Sequence, residues 1–227
     1  AEKDNFINAL SAFDRSARLK TEKEVSTDEY MAFIQKQTLD WNENEIKRIT
    51  KILQNIDQKF RNFSLRFPEA IYFIKTTGKE EGGAAYCRGN AIVLPQNFLS
   101  FSDKKLENTL IHEFFHIFTK NNPAQRQELY NIIYFKPCPE FIIPSEYENK
   151  KITNPDAPEN KFCIELVHKN QKVTVIPILY ANEFYSDEKG GEFFDYLDFR
   201  FLAVKIENGK TIPTLEEDEL YIIEPEH

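Results

Sequence analysis

The chain carries two histidines four residues apart, in His112-Glu113-Phe114-Phe115-His116. Residues four apart on a helix lie about one turn apart on the same face, so both imidazoles can reach one tetrahedral Zn²⁺. The intervening glutamate is placed to accept a proton from a water molecule held at the metal. The spacing predicts a zinc site with two histidine ligands, His112 and His116, and with Glu113 as the catalytic base.

The motif is predicted to lie on a helix that begins after the N-cap Ser102 and spans 103 to 120. At ~100° per residue, the large apolar side chains of this helix gather on one side, whereas His112 and His116 share a polar stripe. The alternative is a pair of structural histidines on a core helix. We favour the metal site, because the polar stripe of an otherwise apolar helix is expected to line a cleft. A purely structural zinc site is disfavoured because such sites usually use four protein ligands, often cysteine.

His112, Glu113 and His116 resemble the active-site helix of the zincin metallopeptidase superfamily. The extension typical of metzincins is absent, since no glycine turn and no third histidine follow His116. In this respect the sequence resembles the gluzincin and aspzincin branches of the superfamily. The resemblance implies that a later acidic residue completes the zinc site. A second segment, Thr153-Asn154-Pro155-Asp156, resembles a feature of uncharacterised bacterial HExxH proteins.

Three acidic residues compete to be the third zinc ligand. Glu128 has the reach, because a short antiparallel helix returns it towards His116. It points away from the inward face predicted for that helix, which comprises Arg126, Leu129, Tyr130 and Ile133. Glu140 follows in a proline-flanked segment, where the alternative is a solvated side chain. Asp156 lies between two prolines that restrict the backbone and lower the cost of ordering a short carboxylate, although it could instead form an Asx turn. We predict Asp156, ahead of Glu140 and then Glu128.

Substrate binding and transition-state stabilisation have weaker candidates. The resemblance implies that an edge strand ahead of the helix pairs with the substrate backbone, and Arg88–Leu94 is the candidate. An interior strand is the alternative, because Ile92 to Leu94 form a continuous apolar run. An oxyanion stabiliser is also required, and every candidate has a packing alternative. The candidates are Tyr130, Tyr147, Tyr180, Tyr185 and Arg126.

The order of elements predicts an α+β fold that is zincin-like, with a twisted, mostly antiparallel sheet packed on the motif helix and with N-terminal packing helices. Helices are expected over 26–38, from Asp40 to about Phe60 with a capping box of Asp40 and Glu43, and over 124–135. Strands are expected over 70–76, 84–94, 162–168, 172–180 and 193–206. The strands over 162–168 and 172–180 should form a hairpin around Lys169 to Gln171, and Asn208-Gly209 should form a turn after the last strand. We predict a polar, frayed segment over 1–25 with one helical turn around Phe6 to Phe13, one metallopeptidase domain over 26–214 with a long loop at 136–161, and an acidic tail over 215–227.

Composition excludes several classes of protein. The 227-residue chain is 41% hydrophobic and has a net charge of −8, which favours a folded protein and argues against nucleic acid as the main partner. No run of residues approaches the ~18 apolar residues of a membrane span. The three cysteines are widely spaced, which favours buried thiols over disulfides or ligands. The initial Ala fits a processed chain or a trimmed one, so a secreted or periplasmic location is favoured over a cytoplasmic one.

Function is therefore expected to be that of a zinc-dependent peptidase, an endopeptidase rather than an exopeptidase, that acts on a peptide or protein. Two alternatives use the same residues. One is a metal-dependent hydrolase of non-peptide amides or esters. The other is a pseudo-peptidase that binds metal and a partner without catalysis, although retention of Glu113 argues against it.

Overall fold

We describe residues 4–216 and 219–223 from a computed structural model of the chain. The chain forms two compact units. The continuous unit is Ser26–Pro123, and the split unit comprises the described residues of Ala1–Val25 and Ala124–His227. The motif residues belong to the continuous unit. The three candidates for a third ligand belong to the split unit.

Seven α-helices are formed within the described residues, and they are numbered here in chain order. They are α1 (Asn5–Ala9), α2 (Ala12–Leu19), α3 (Thr27–Gln35), α4 (Glu43–Phe60), α5 (Asp103–Asn121), α6 (Pro123–Ile132) and α7 (Ser145–Glu148). Three short 3₁₀ turns lie at Lys79–Glu81, Gln96–Ser100 and Phe193–Tyr196.

The strands are numbered in the same way. They are β1 (Thr38–Leu39), β2 (Tyr72–Thr76), β3 (Tyr86–Arg88), β4 (Ala91–Pro95), β5 (Lys136–Pro137), β6 (Phe162–His168), β7 (Gln171–Ala181), β8 (Leu197–Glu207), β9 (Lys210–Pro213), β10 (Leu215–Glu216), β11 (Glu219–Leu220) and β12 (Ile222–Ile223).

In the continuous unit, α4 and α5 share one apolar core with a four-stranded sheet of order β1-β2-β4-β3. Strands β2 and β4 run parallel, and the other two pairs are antiparallel. The periodic isoleucines of α4 contribute Ile52 and Ile56 to this core, and β4 contributes Ile92 and Leu94. All four side chains are at most 2% exposed, so apolar burial holds the helices on the sheet.

The single strand predicted over 84–94 is wrong. A turn at Gly89 and Asn90 divides it into β3 and β4, and Gly89 has the positive φ of 54° that glycine adopts without strain. The edge-strand prediction for Arg88–Leu94 is also wrong for most of its length. Strand β4 lies inside the sheet, between β2 and β3, which agrees with the continuous apolar run from Ile92 to Leu94. Among the described strands, β3 is the edge beside it.

Capping side chains set the helix starts of this unit. Ser26 and Glu29 form a reciprocal capping box at the start of α3. Helix α4 begins later than predicted, because Asn42 and Glu45, rather than Asp40 and Glu43, make its capping box. Both oxygens of Glu45 also lie 2.8 Å from Lys75 Nζ on β2, so the same carboxylate ties the helix start to the sheet.

The split unit is built on an antiparallel sheet of order β12-β8-β7-β6-β5, with β9 paired to β8. The predicted hairpin of β6 and β7 is confirmed, and its turn residues Lys169 and Asn170 have positive φ values of 48° and 62°. The predicted Asn208-Gly209 turn joins β8 to β9 in the same way, with φ values of 51° and 71°. A 3₁₀ turn replaces the predicted start of β8.

The frayed start predicted for residues 1–25 is wrong over α1 and α2, and the single helical turn predicted around Phe6 to Phe13 is instead parts of these two helices. Phe6, Ile7 and Phe13 are at most 3% exposed. Phe13 packs in one buried cluster with Tyr196 and Phe193, so these two helices are an integral part of the split unit. Ser11 and Asp14 form a capping box that starts α2.

The described elements establish a mixed α+β fold with mainly antiparallel strand pairing. The predicted loop over 136–161 includes β5 and the single-turn helix α7. Part of the predicted acidic tail forms β10, β11 and β12, whereas residues 217, 218 and 224–227 lie outside the described residues. None of the helices described has the length and apolar character needed to cross a membrane.

Candidate metal centre

Helix α5 is positioned by its apolar face. The hydroxyl of Ser102 accepts a hydrogen bond from Lys105 N at 3.3 Å and caps the helix as predicted. Leu106, Leu110 and Ile117 are 0% exposed and belong to the core shared with α4 and the sheet. Because these residues fix the rotation of α5, the opposite stripe is held in a defined direction.

His112 and His116 lie on that stripe with their rings at 82° to each other and their centroids 4.6 Å apart. The two Nε2 atoms are 3.0 Å apart. His112 is exposed and His116 is half-buried. The stripe therefore presents two imidazole nitrogens that converge on one point at the surface of the continuous unit.

The spacing of these nitrogens fits a shared zinc ion. Ligand nitrogens about 2.0–2.1 Å from a tetrahedral zinc lie about 3.3 Å apart, close to the observed separation. A small rotation of either imidazole ring would increase the distance between the two Nε2 atoms to that value. Neutral imidazole is also a preferred donor for zinc, so both the geometry and the chemistry of the pair suit the metal.

Glu113 differs from its neighbours because its side chain is buried, at 2% exposure. It follows His112 directly and is therefore held within one helical turn of both imidazoles. Burial restricts the rotamers of this carboxylate and excludes most of the water around it. The carboxylate is therefore held in a fixed place on α5.

Near its N-terminus, α5 is bound to Lys59 of α4. Its ammonium group forms an ion pair with Glu107, and Lys104 lies 3.5 Å from the same carboxylate. The hydrogen bond from Lys59 is the largest cause that lowers the pKa of Glu107 below its ordinary value. Glu107 therefore stays ionised and holds α4 and α5 together.

The edge strand β3 is short and is already partly bonded. Lys120 Nζ, at the end of α5, donates to the carbonyl of Cys87 at 2.9 Å and lies 3.3 Å from its thiol. A peptide could therefore add only a few main-chain hydrogen bonds along Tyr86–Arg88. Substrate pairing at this edge stays a prediction.

Asp156 is half-buried in the split unit. Its N–H donates to Asn154 Oδ1 at 2.8 Å, and Ala157 N donates to the carbonyl of Asn154 at 3.1 Å. Asn154 therefore forms an Asx turn directly before Asp156. The assignment of Asp156 as the third ligand stays a prediction.

The other two candidate ligands are both exposed. Glu140 forms an ion pair with Lys161 at 3.6 Å, and Lys161 is also bound to Glu159 at 2.8 Å. Glu128 lies on α6, which has no buried residue. The inward face predicted for that helix is wrong at Ile133, which is 58% exposed just beyond the helix end.

The candidate oxyanion stabilisers all lie in the split unit. Tyr130 contacts Phe162 edge to face at 4.7 Å, and the guanidinium of Arg126 lies 5.3 Å from the same ring. Tyr147 contacts Tyr180 at 5.1 Å. These contacts agree with packing roles.

Burial raises the pKa of two of these tyrosines. Burial, followed by the nearby Asp198, raises the pKa of Tyr180 to about 12. Burial also raises the pKa of Tyr185, which is 6% exposed and packs beside Tyr196. Both phenols therefore stay protonated at neutral pH and can donate hydrogen bonds, and their catalytic role stays a prediction.

Comparison of the chain with protein-family models, with curated proteins and with solved structures gave no match.

Proposed function

We propose that the chain is a zinc-dependent peptidase that hydrolyses peptide bonds. His112 and His116 bind the zinc ion, Glu113 is the catalytic base, and Asp156 is the third protein ligand. The observation that carries the proposal is the pair of Nε2 atoms 3.0 Å apart on one stripe of α5, with the buried carboxylate of Glu113 beside them.

Zinc in such a site polarises the scissile carbonyl and lowers the pKa of the attacking water. The residues of the chain supply the rest. Glu113 Oε accepts the proton that the attacking water loses, and it then returns a proton to the leaving amine. The core residues beneath α5 keep the two imidazoles and the carboxylate in one register, so that the groups need no rearrangement during turnover.

A zincin-like architecture is part of the proposal. It is supported by a motif helix that packs on a small sheet, with α4 on the same apolar core. The endopeptidase preference and the choice of peptides over other amides or esters are also part of the proposal. They rest on the resemblance of the HExxH helix.

Metal analysis and substrate profiling test the function together. We expect the purified chain to hold close to one zinc, and to cleave denatured casein and members of a quenched peptide panel. Cleavage of simple amides or esters without cleavage of peptides would assign it to the alternative hydrolase class. Zinc binding without any hydrolysis would identify a binding module, and failure to bind zinc on reconstitution would refute the proposal.

A further inference from the structure

The segment that carries Asp156 is anchored to helix α2 through one residue, Thr153, which is 3% exposed. Its backbone N–H donates to Asp14 Oδ1 at 2.9 Å, and its hydroxyl donates to Asp14 Oδ2 at 2.7 Å. The carboxylate of Asp14 therefore binds the main chain and the side chain of Thr153 together.

Arg18 completes this anchor from the next turn of α2. Its guanidinium donates to Asp14 Oδ1 at 2.6 Å and to the carbonyl of Thr153 at 3.1 Å. It also lies 4.3 Å from the ring of Phe193. The side chains of Asp14 and Arg18 are 0% exposed. The N–H and the C=O of Thr153 are thus both bound by an ion pair that is removed from water.

The residues before Thr153 are fixed as well. The hydroxyl of Ser11, the N-cap of α2, donates to the carbonyl of Lys151 at 2.6 Å. Ile152 is 5% exposed, and its N–H donates to the carbonyl of Leu179 on β7 at 2.9 Å. The chain therefore enters the Asp156 segment from a rigid point.

Little freedom remains between Thr153 and Asp156. Asn154 Oδ1 holds the N–H of Asp156, as described above, and Pro155 is buried and has a fixed φ. Because Thr153 is anchored and Asn154 and Pro155 are restrained, the position of Thr153 largely determines the position of the Asp156 carboxylate.

A buried ion pair contributes little net stability to the loop that it binds. Removal of two charges from water offsets most of their attraction, and well-packed apolar residues of the same volume often stabilise a protein more. What an ion pair adds is direction, because a carboxylate and a guanidinium accept only certain geometries. The network of Asp14, Arg18 and Thr153 therefore suits a role in placing the loop.

We propose that Asp14, Arg18 and Thr153 are positioning residues, which hold the carboxylate of Asp156 in place as a zinc ligand. The inference rests on the proposed function, because it assumes that Asp156 binds the metal. It gives helix α2, which ends more than 90 residues before the motif in the sequence, a part in the metal site.

A double-mutant cycle tests this coupling. Zinc affinity is measured by competition with a chelating dye for the parent chain, Thr153→Val, Asp156→Ala and the double variant. Loss of a supporting partner of a metal ligand typically weakens binding 10–100-fold, and we expect about tenfold for Thr153→Val. In the Asp156→Ala background the same change should have no further effect. Thr153→Ser, which keeps the hydroxyl, should restore the parent affinity.

Thr211→Val is a matched control. Thr211 is 8% exposed, and its hydroxyl donates to the carbonyl of Pro139 at 2.6 Å, so the variant removes a buried loop contact of the same kind, far from Asp156 in sequence. We expect its zinc affinity to stay within about twofold of the parent. If Thr153→Val does not fold, Arg18→Lys serves instead, because an ammonium group cannot span Asp14 and Thr153 as the planar guanidinium does.

The outcomes separate the two proposals. An equal loss of affinity from Thr153→Val in both backgrounds, or no loss in either, would overturn the positioning role and leave the peptidase proposal standing. An Asp156→Ala variant with parental affinity would remove both Asp156 and its positioning residues from the site, while His112 and His116 remain. A parent chain that does not bind zinc would refute both proposals.

Discussion

Replacement of Glu113 by glutamine separates metal binding from catalysis. The side chain is 2% exposed, and glutamine has nearly the same size and shape, so the packing around it is preserved. The substitution leaves His112 and His116 unchanged. Zinc should therefore stay bound, whereas the amide cannot accept the proton of the attacking water at neutral pH.

The expected loss of rate follows from the role of the base. General acid–base catalysis contributes about 10²–10⁴-fold, which corresponds to about 2.7–5.4 kcal/mol of transition-state stabilisation. We expect kcat/KM of Glu113→Gln to fall by that factor on a quenched peptide at pH 7, with an unchanged zinc content. The melting temperature should stay within a few degrees of the parent, because no cavity is created.

Glu107→Gln is the matched control, since it makes the same change at a buried glutamate on the same helix. Glu107 is 8% exposed and is paired with Lys59, away from the histidine stripe. Its kcat/KM should stay within about twofold of the parent once the protein is folded. If Glu113→Gln keeps its activity to within tenfold, another group is the base and the reasoning from the motif is wrong.

Three further results are expected. His112→Ala and His116→Ala should each reduce the zinc content from about one per chain to background, and retention of zinc by both would contradict the site. The hydrogen bond from Lys59 lowers the pKa of Glu107, so the ion pair stabilises the folded chain above the pKa of the unfolded state, and this stabilisation is lost as pH falls through the lower folded pKa. The resulting change in the free energy of unfolding, measured by chemical denaturation, should stay below about 1 kcal/mol, because the Lys59 side chain is 49% exposed. Burial raises the pKa of Cys163 to about 11, so a disulfide reagent at pH 8 should label it only after unfolding, and rapid labelling of the native chain would show that this thiol is accessible.

The motif helix could be predicted from the sequence because its signals are local. Ser102 caps the helix, and the spacing of Leu106, Leu110 and Ile117 defines the buried face that turns the histidines outward. The hairpins were predictable for the same reason, because the Asn208-Gly209 turn determines its own conformation.

Helices α1 and α2 were predicted only as one helical turn in a frayed segment, because their stability comes from contacts distant in sequence. Asp14 and Arg18 read as solvated charges by residue type, yet they are buried against Thr153 and Phe193. One local signal was present: Ser11 and Asp14, three residues apart, match the capping pattern that starts α2. This capping pattern predicts the start of α2, but it does not predict that the helix packs against Thr153 and Phe193.

The third ligand is the hardest residue to predict, because three carboxylates satisfy the same chemistry and differ only in how the fold holds them. Glu140 would have to leave its ion pair with Lys161 to bind a metal, and its exposed side chain would lose rotamer freedom on binding. Glu128 has the same entropic cost on the exposed side of α6. Asp156 has a shorter side chain on a backbone that Asn154, Pro155 and the anchored Thr153 already restrain. Much of the entropy cost of ordering Asp156 is therefore met when the chain folds. Metal binding through Asp156 loses less free energy to side-chain ordering than binding through Glu140 or Glu128.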